Sequence, residues 1–328
     1  MKRLFTCIFF MLSLQATAQQ IVALSSSEKI SIRGLSVVDD NTIWASGTQG
    51  KIGLSTDGGK SWIWNQVKGL EKTDFRDIEG FDARTAVIMG IDSPGVVLKT
   101  FNGGQTWKIV HTENISGVFM DAMEFWENGN GIIVGDPIDR KPFILRTSDF
   151  GNNWTRYTHH NITDFNEGEA MFASSGTNIR AYSTKEAVMI TGGKSSRILL
   201  HEKWYDLPLL QGQNSTGANS IAVSKGRFIV VGGDFMHDTI RTGNAAISHD
   251  GKTWTIPTTP PYGYRSCVEF ISQKTFITCG TSGVDISTDN GENWKLISRE
   301  GYHVVRRAKN GTAVYLAGSK GRIAVLRF

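Results

Sequence analysis

The stretch Ser55-Thr56-Asp57-Gly58-Gly59-Lys60-Ser61-Trp62 returns, with small changes, at 100–107, 147–154, 248–254 and 287–294. The shared pattern is Ser/Thr-x-Asp/Asn-x-Gly-x-x-Trp, with Asn102 at the acidic position of the second copy and one residue fewer in the fourth. The copies pair Asp57 with Trp62, Asn102 with Trp107, Asp149 with Trp154, Asp250 with Trp254 and Asp289 with Trp294. A pattern repeated five times is a structural unit before it is a site.

The chemistry of the eight residues explains the recurrence. A strand ends at the Ser or Thr, the carboxylate of Asp57 folds back onto following backbone N–H groups, and Gly59 supplies the positive φ that closes the turn. The Trp then opens the next strand and fills an apolar gap under the loop. Each copy reads as a β-hairpin staple. A catalytic role for these carboxylates fits less well, because a single active site needs its acid once whereas a repeated turn needs one in every copy. The pattern resembles the Asp-box, or bacterial neuraminidase repeat, of β-propellers.

Strand-like runs ending in Gly give a second ruler, at 42–47, 85–90, 131–135, 187–192, 227–232, 275–280 and 312–318. They are rich in Val, Ile and aromatic residues, as buried strands are. Their spacing averages about 45 residues, the length of a four-stranded propeller blade. With the Gly-ending run as strand B, each unit reads A, B, C, repeated turn, D. Strand A falls at 30–38, 75–81, 119–126 and 264–272 in units one, two, three and six. The fourth unit keeps strands at 197–201 and 204–209 without the turn, and the seventh stops after strand C at Phe328. Its missing strand is expected from 20–25, which closes the ring and removes exposed sheet edges. The expected fold is all-β: a seven-bladed β-propeller of four-stranded antiparallel blades, forming one domain over 19–328.

Residues 1–18 read as a signal peptide for export. Lys2 and Arg3 precede an apolar run at 4–14, and Ala16-Thr17-Ala18 is a small-residue cleavage site. That run is too short to span a bilayer, and no later one is long enough. The expected product is an exported, periplasmic or extracellular monomer without a membrane span. The 35 Lys and Arg against 31 Asp and Glu give +4, and +2 without Lys2 and Arg3, too little to indicate nucleic acid. Of three cysteines, Cys267 and Cys279 lie outside the leader, equidistant from a turn centred on Gln273. Either a cross-strand disulfide or a pair of buried thiols is compatible with that placement. Neither a metal nor another cofactor is expected from two lone cysteines.

In an up-and-down blade, the C-to-D turns share a face with the A-to-B turns, so function is sought on the opposite face, where irregular segments occur at 135–140 and 232–238. The starts of the A strands also reach that face. Arg33 and Arg76 each stand 14 residues before the Gly that ends strand B, Arg265 is within one residue of that place, and Asp121 is expected to match Asp77. A long D-to-A segment at 158–172 carries His159, His160, Asp164, Glu167 and Glu169 to the rim. The expected mouth is lined by Arg33, Arg76 and Arg265 with Asp136, Glu169 and Asp234 among them. Arginine suits a carboxylate or phosphate because its fork donates two parallel hydrogen bonds. His237 with Asp234 and Asp238 is a weaker metal candidate, lacking a second His nearby.

Several phrases carry a further resemblance: Gly135-Asp136-Pro137, Gly168-Glu169-Ala170-Met171-Phe172-Ala173-Ser174-Ser175-Gly176-Thr177, Val231-Gly232-Gly233-Asp234 and Gly263-Tyr264-Arg265-Ser266. They resemble the photosystem II assembly-factor-like propellers of exported bacterial proteins, over essentially the whole chain after the leader. The resemblance implies a protein-binding arginine patch, for which Arg33, Arg76 and Arg265 are the counterparts. No Gly-x-Gly-x-x-Gly follows a strand and no Cys-x-x-Cys occurs, so nothing supports oxidoreductase chemistry. Sialidases, which share the Asp-box, require an Arg-Ile-Pro that is absent here; the nearest phrase is Phe75-Arg76-Asp77-Ile78. The leading expectation is a non-enzymatic scaffold binding an acidic protein segment or anionic ligand. The alternative is a carbohydrate-binding or glycosidase-like propeller using Asp136, Glu169 and Asp234.

Overall fold

The computed structural model describes residues 19–24, 26–91, 93–158, 162–224 and 226–328. The segment at 1–18 expected to be a leader, Ser25 and the His159-His160 pair lie outside them. Seven sheets follow one another along the chain, and no helix of the described residues is long and apolar enough to cross a membrane.

Blade 1 contains Ile32–Val37, Ile43–Gly47, Lys51–Ser55 and Ile63–Gln66 as strands A to D. Blade 2 contains Phe75–Gly80, Ala86–Gly90, Gly95–Thr100 and Lys108–Glu113, and blade 3 Met120–Phe125, Gly131–Ile138, Lys141–Thr147 and Thr155–Arg156. Blade 4 contains Ile179–Ala181, Ala187–Ile190, Arg197–Leu200 and Lys203–Asp206. In blade 5, Thr216–Ser224, Arg227–Asp234 and Ala245–Ser248 are followed by an Ile247–Thr255 bridge. Blade 6 contains Cys267–Ser272, Thr275–Gly280, Gly283–Ser287 and Lys295–Ser298. Blade 7 takes Val304–Arg307, Val314–Ala317 and Ile323–Arg327 from the end of the chain and Gln20–Leu24 from its start, paired Gln20 to Arg327 through Leu24 to Ile323. The ring closes as its sequence pattern indicates.

Of the two segments expected to be irregular, the one at 135–140 is a strand end and hairpin turn, while the one at 232–238 is strand through Asp234 and irregular from 235 to 238. Strand B of blade 3 continues through Ile138, which pairs with Lys141 across a tight turn at Asp139 and Arg140, both at positive φ. Strand B of blade 5 likewise runs through Asp234. Two positive-φ central residues match the twist of a two-residue hairpin, so the segment at 135–140 extends the sheet instead of interrupting it.

The repeated turns are built alike. Ser55 Oγ accepts the Gly59 N–H at 2.9 Å and donates to Asp57 Oδ1 at 2.9 Å, while Asp57 Oδ1 accepts the Ser61 N–H at 2.9 Å. Gly59 sits at φ +78°, and the equivalent hydroxyl-to-Gly bonds recur at Thr100, Thr147, Ser248 and Ser287. The Gly58 N–H donates to Asn41 O in the A-to-B turn, which places both kinds of turn on one face. Cys267 and Cys279 are free, fully buried and opposed in register, with Arg306 Nη1 donating to Cys267 Sγ at 3.3 Å.

Candidate functional site

The A strands of blades 1, 2, 3 and 5 carry the same irregularity. Pairing skips one residue in each, at Arg33, Arg76, Asp121 and Asn219. A bulge leaves its extra residue outside the ladder and re-aims its side chain. Arg33 and Arg76 are thereby equivalent, as their spacing indicates. Asp121 is the third member of this set and not the counterpart of Asp77, which lies one residue beyond the bulge.

Arg33 and Arg76 line one cavity of about 470 Å³. Its walls include Asp136, Phe119, Phe235 and Tyr264, with His303 from blade 7 and Ala170 to Ser174 from the long connection. Arg33 Nη1 donates to Ser174 O at 3.2 Å, and no carboxylate lies within ion-pair distance of it among the described residues. Burial, and next the like charge of Arg76, lower its pKa. Arg76 pairs with Asp74 at 2.8 Å, its guanidinium 5.9 Å from the centre of the Phe119 ring. His303 is held neutral at a pKa of about 3 by burial and then by the Arg33 charge. A group that stays uncharged beside two guanidinium ions adds no repulsion.

Asp136 is the one acid of the expected trio that lines this cavity; its Oδ1 accepts the Met171 N–H at 2.9 Å and burial raises its pKa. Asp121, near it, is fully buried, and its pKa is raised well above normal by burial and by the Asp136 charge. Glu169 does not reach the mouth. It is buried against Arg197, whose Nε donates at 2.9 Å, and it accepts the Asn166 N–H at 2.7 Å. Asp234 is tied down by the Met236 N–H at 2.9 Å and His237 Nδ1 at 2.7 Å. Burial opposes ionisation there, but those hydrogen bonds leave its pKa lowered. Asp238 turns instead to Thr281 at 2.7 Å.

Arg265 departs furthest from expectation. Its side chain is 0% exposed and closes on Asp285, with Nε to Oδ2 at 2.7 Å and Nη1 to Tyr264 O at 2.8 Å. It braces blade 6 and presents no charge to solvent. The mouth therefore holds two arginines, and the three carboxylates proposed for sugar chemistry are not brought together in one cleft.

The long connection also does more than line the rim. Beyond Phe172 it enters the ring axis, where residues 174–177 touch the inner strands or their approaches in five blades. Ser174 Oγ donates to Asn219 at 2.7 Å, Ser175 Oγ to Ser266 O at 2.7 Å, and Arg306 Nη2 to Ser175 O at 2.7 Å. Gly176, at φ +65°, lies against the Asp77 carboxylate so closely that a Cβ would fall 2.2 Å from Oδ2. The segment floors the mouth and separates it from the acidic far end of the axis, where Arg180 bridges Glu124 and Glu269. Its run of small residues, Ala173-Ser174-Ser175-Gly176-Thr177, is the signal that marks it in sequence.

No family model matches the chain, and no curated protein does. Solved structures do match. The chain is similar to YCF48 bound to D1 peptide at 15% identity and a TM-score of 0.67, covering 96% of this chain and 98% of that one. It is similar to YCF48 from Cyanidioschyzon merolae at 16% identity and a TM-score of 0.61, over 95% and 99% of the two chains. The WD40 propeller domain of Doa1 is similar at 14% identity and a TM-score of 0.63, over 95% and 97%. At these identities the likeness is one of fold: this chain is a seven-bladed β-propeller with YCF48 structures among its structural neighbours.

Proposed function

We propose that this protein is an exported, non-enzymatic scaffold that holds an acidic segment of a partner protein at the mouth framed by Arg33 and Arg76. The observation that carries the reading is Arg33, a largely buried guanidinium without a carboxylate partner among the described residues, opening into a cavity it shares with Arg76. An ion held this way is poorly solvated, and an incoming carboxylate supplies the missing partner. Phe119, Phe235 and Tyr264 provide apolar walls for the chain that bears it. Support also comes from the structural neighbour described as bound to a peptide. On this reading the repeated turns are Asp-boxes, the leader at 1–18 directs export, and the family is that of assembly-factor-like propellers.

The test is binding to immobilised peptides graded in Asp and Glu content. Binding is expected to rise with acidic content, to fall with salt, and to be lost in Arg33→Gln and Arg76→Gln. Equal binding to acidic peptides and their amide counterparts would contradict the reading.

A further inference from the structure

Each repeated turn also fills the seam between its own blade and the preceding one. Trp107 packs edge-on against Trp44 of blade 1, while Trp154 shares a core cluster with Val87 of blade 2, Trp254 with Leu200 of blade 4 and Trp294 with Ile229 of blade 5. Trp62 joins the cluster of blade 7. Blade 4 has no such turn: Arg197–Leu200 and Lys203–Asp206 are joined directly through His201 and Glu202, both at positive φ. Along the seam it leaves between blades 3 and 4, two cavities of about 350 and 590 Å³ open, and both are walled by Trp126 and Thr184.

Trp126 is fixed across the seam by its indole N–H, which donates to Ser183 O at 2.7 Å. The smaller cavity adds Asn130, Asn153 and Thr155, side-chain amides and hydroxyls of the kind that match a ring of alcohols. It also holds Arg146 and Lys185, neither of which has a carboxylate partner among the described residues. The Arg146 guanidinium is stacked 3.7 Å from the centre of the Tyr157 ring, a pose that leaves its N–H edge available. Asp149, the acid in this cavity, already accepts hydrogen bonds from Asn152 and Asn153. Glu127 lies in the larger cavity; Glu186 and Glu202 line a third, of about 250 Å³, together with Arg146 and Lys185, and Glu186 is engaged there by His201 at 3.3 Å.

We propose that the blade 3–blade 4 seam is a second binding site, taking an acidic oligosaccharide whose ring lies on Trp126 and whose carboxylate meets Arg146 and Lys185. An aromatic face receives the apolar face of a sugar, and the flanking amides and hydroxyls fix its alcohols. The site is on a different part of the ring from the arginine mouth and does not depend on it.

Calorimetry of the full chain with oligogalacturonate tests the proposal, with a neutral xylo-oligosaccharide of the same length as control. Saturable binding of the uronate oligomer is expected, at least tenfold tighter than the neutral one. Arg146→Gln with Lys185→Gln, both at the surface, is expected to weaken it at least tenfold with melting unchanged. Trp126→Ala is expected to abolish it, and Arg33→Gln to leave it as it was. Absence of saturable uronate binding, equal binding of the neutral oligomer, or indifference to the double substitution would overturn the proposal. So would loss of binding in Arg33→Gln, which would move the ligand to the mouth.

Discussion

The two faces of the ring use the same acidic side chain in opposite ways. On the turn face Asp57 is wrapped by its own neighbours, and the Ser61 hydroxyl and amide hold its carboxyl at a pKa of about 2. Burial opposes the same effect at Asp149, yet the hydrogen bonds from the Asn153 side chain and amide, with those from Thr147 and Asn152, bring it to about 2 as well. Toward the axis, Asp77 is fully buried, and burial raises its pKa to about 7 against the pull of Arg306. Asp121 and Asp136 are raised for the same first reason. The recurring turn carboxylates are satisfied locally and ionised, whereas Asp77, Asp121 and Asp136 are buried toward the axis and resist ionisation.

The strongest way to break this contrast is at Arg265. Arg265→Ala leaves the Asp285 charge buried without its partner, and a loss of about 3–5 kcal/mol is expected in denaturant unfolding. A loss below about 1 kcal/mol would return Arg265 to the list of exposed, ligand-facing groups. Gly176→Ala comes next. The left-handed backbone and the Asp77 contact together predict a loss of about 2 kcal/mol or more, with weakened peptide binding because the segment floors the mouth.

The pH dependence separates the faces by sign. Asp77 keeps its proton in the folded state between about pH 4 and 7 while the unfolded chain has lost it, so its contribution falls as pH rises through that window. Asp77→Asn is expected to flatten that decline. The turn carboxylates have depressed pKa values, so their contribution is present above about pH 4 and lost as pH falls toward about 2. The smallest effect is therefore expected from Asp57→Ala: a slightly lower melting temperature at neutral pH, and a difference from wild type that shrinks on acidification. A difference that grew instead would contradict the local wrapping of that carboxylate.

What was legible in the sequence was whatever repeats. The Ser/Thr-x-Asp turns, the Gly-ending strands and the missing strand of blade 7 follow from local chemistry copied along the chain. The mouth was legible only in part. Arg33 and Arg76 were found by their 14-residue spacing, and Asp121 stands at the same distance from Gly135, so the count itself places it beside them. Glu169 and Asp234 read as free acids because burial is invisible in sequence. Arg197, which neutralises Glu169, is 28 residues away, and Asp285, which captures Arg265, is 20 residues away. Such partners are chosen by tertiary packing, and no local pattern announces them. The axial course of residues 174–177 was missed for the same reason, although their small side chains are what a crowded axis demands.

The account rests on the two faces having separate duties, and one paired measurement decides it. Affinity for the most acidic peptide of the graded series is compared for wild type, Arg33→Gln and Asp57→Ala, with melting followed on the same samples. The prediction is a loss of at least about tenfold, or about 1.4 kcal/mol, for Arg33→Gln with melting near wild type, and unchanged affinity for Asp57→Ala. Lost affinity in Asp57→Ala with intact binding in Arg33→Gln would place the function on the turn face and contradict the account.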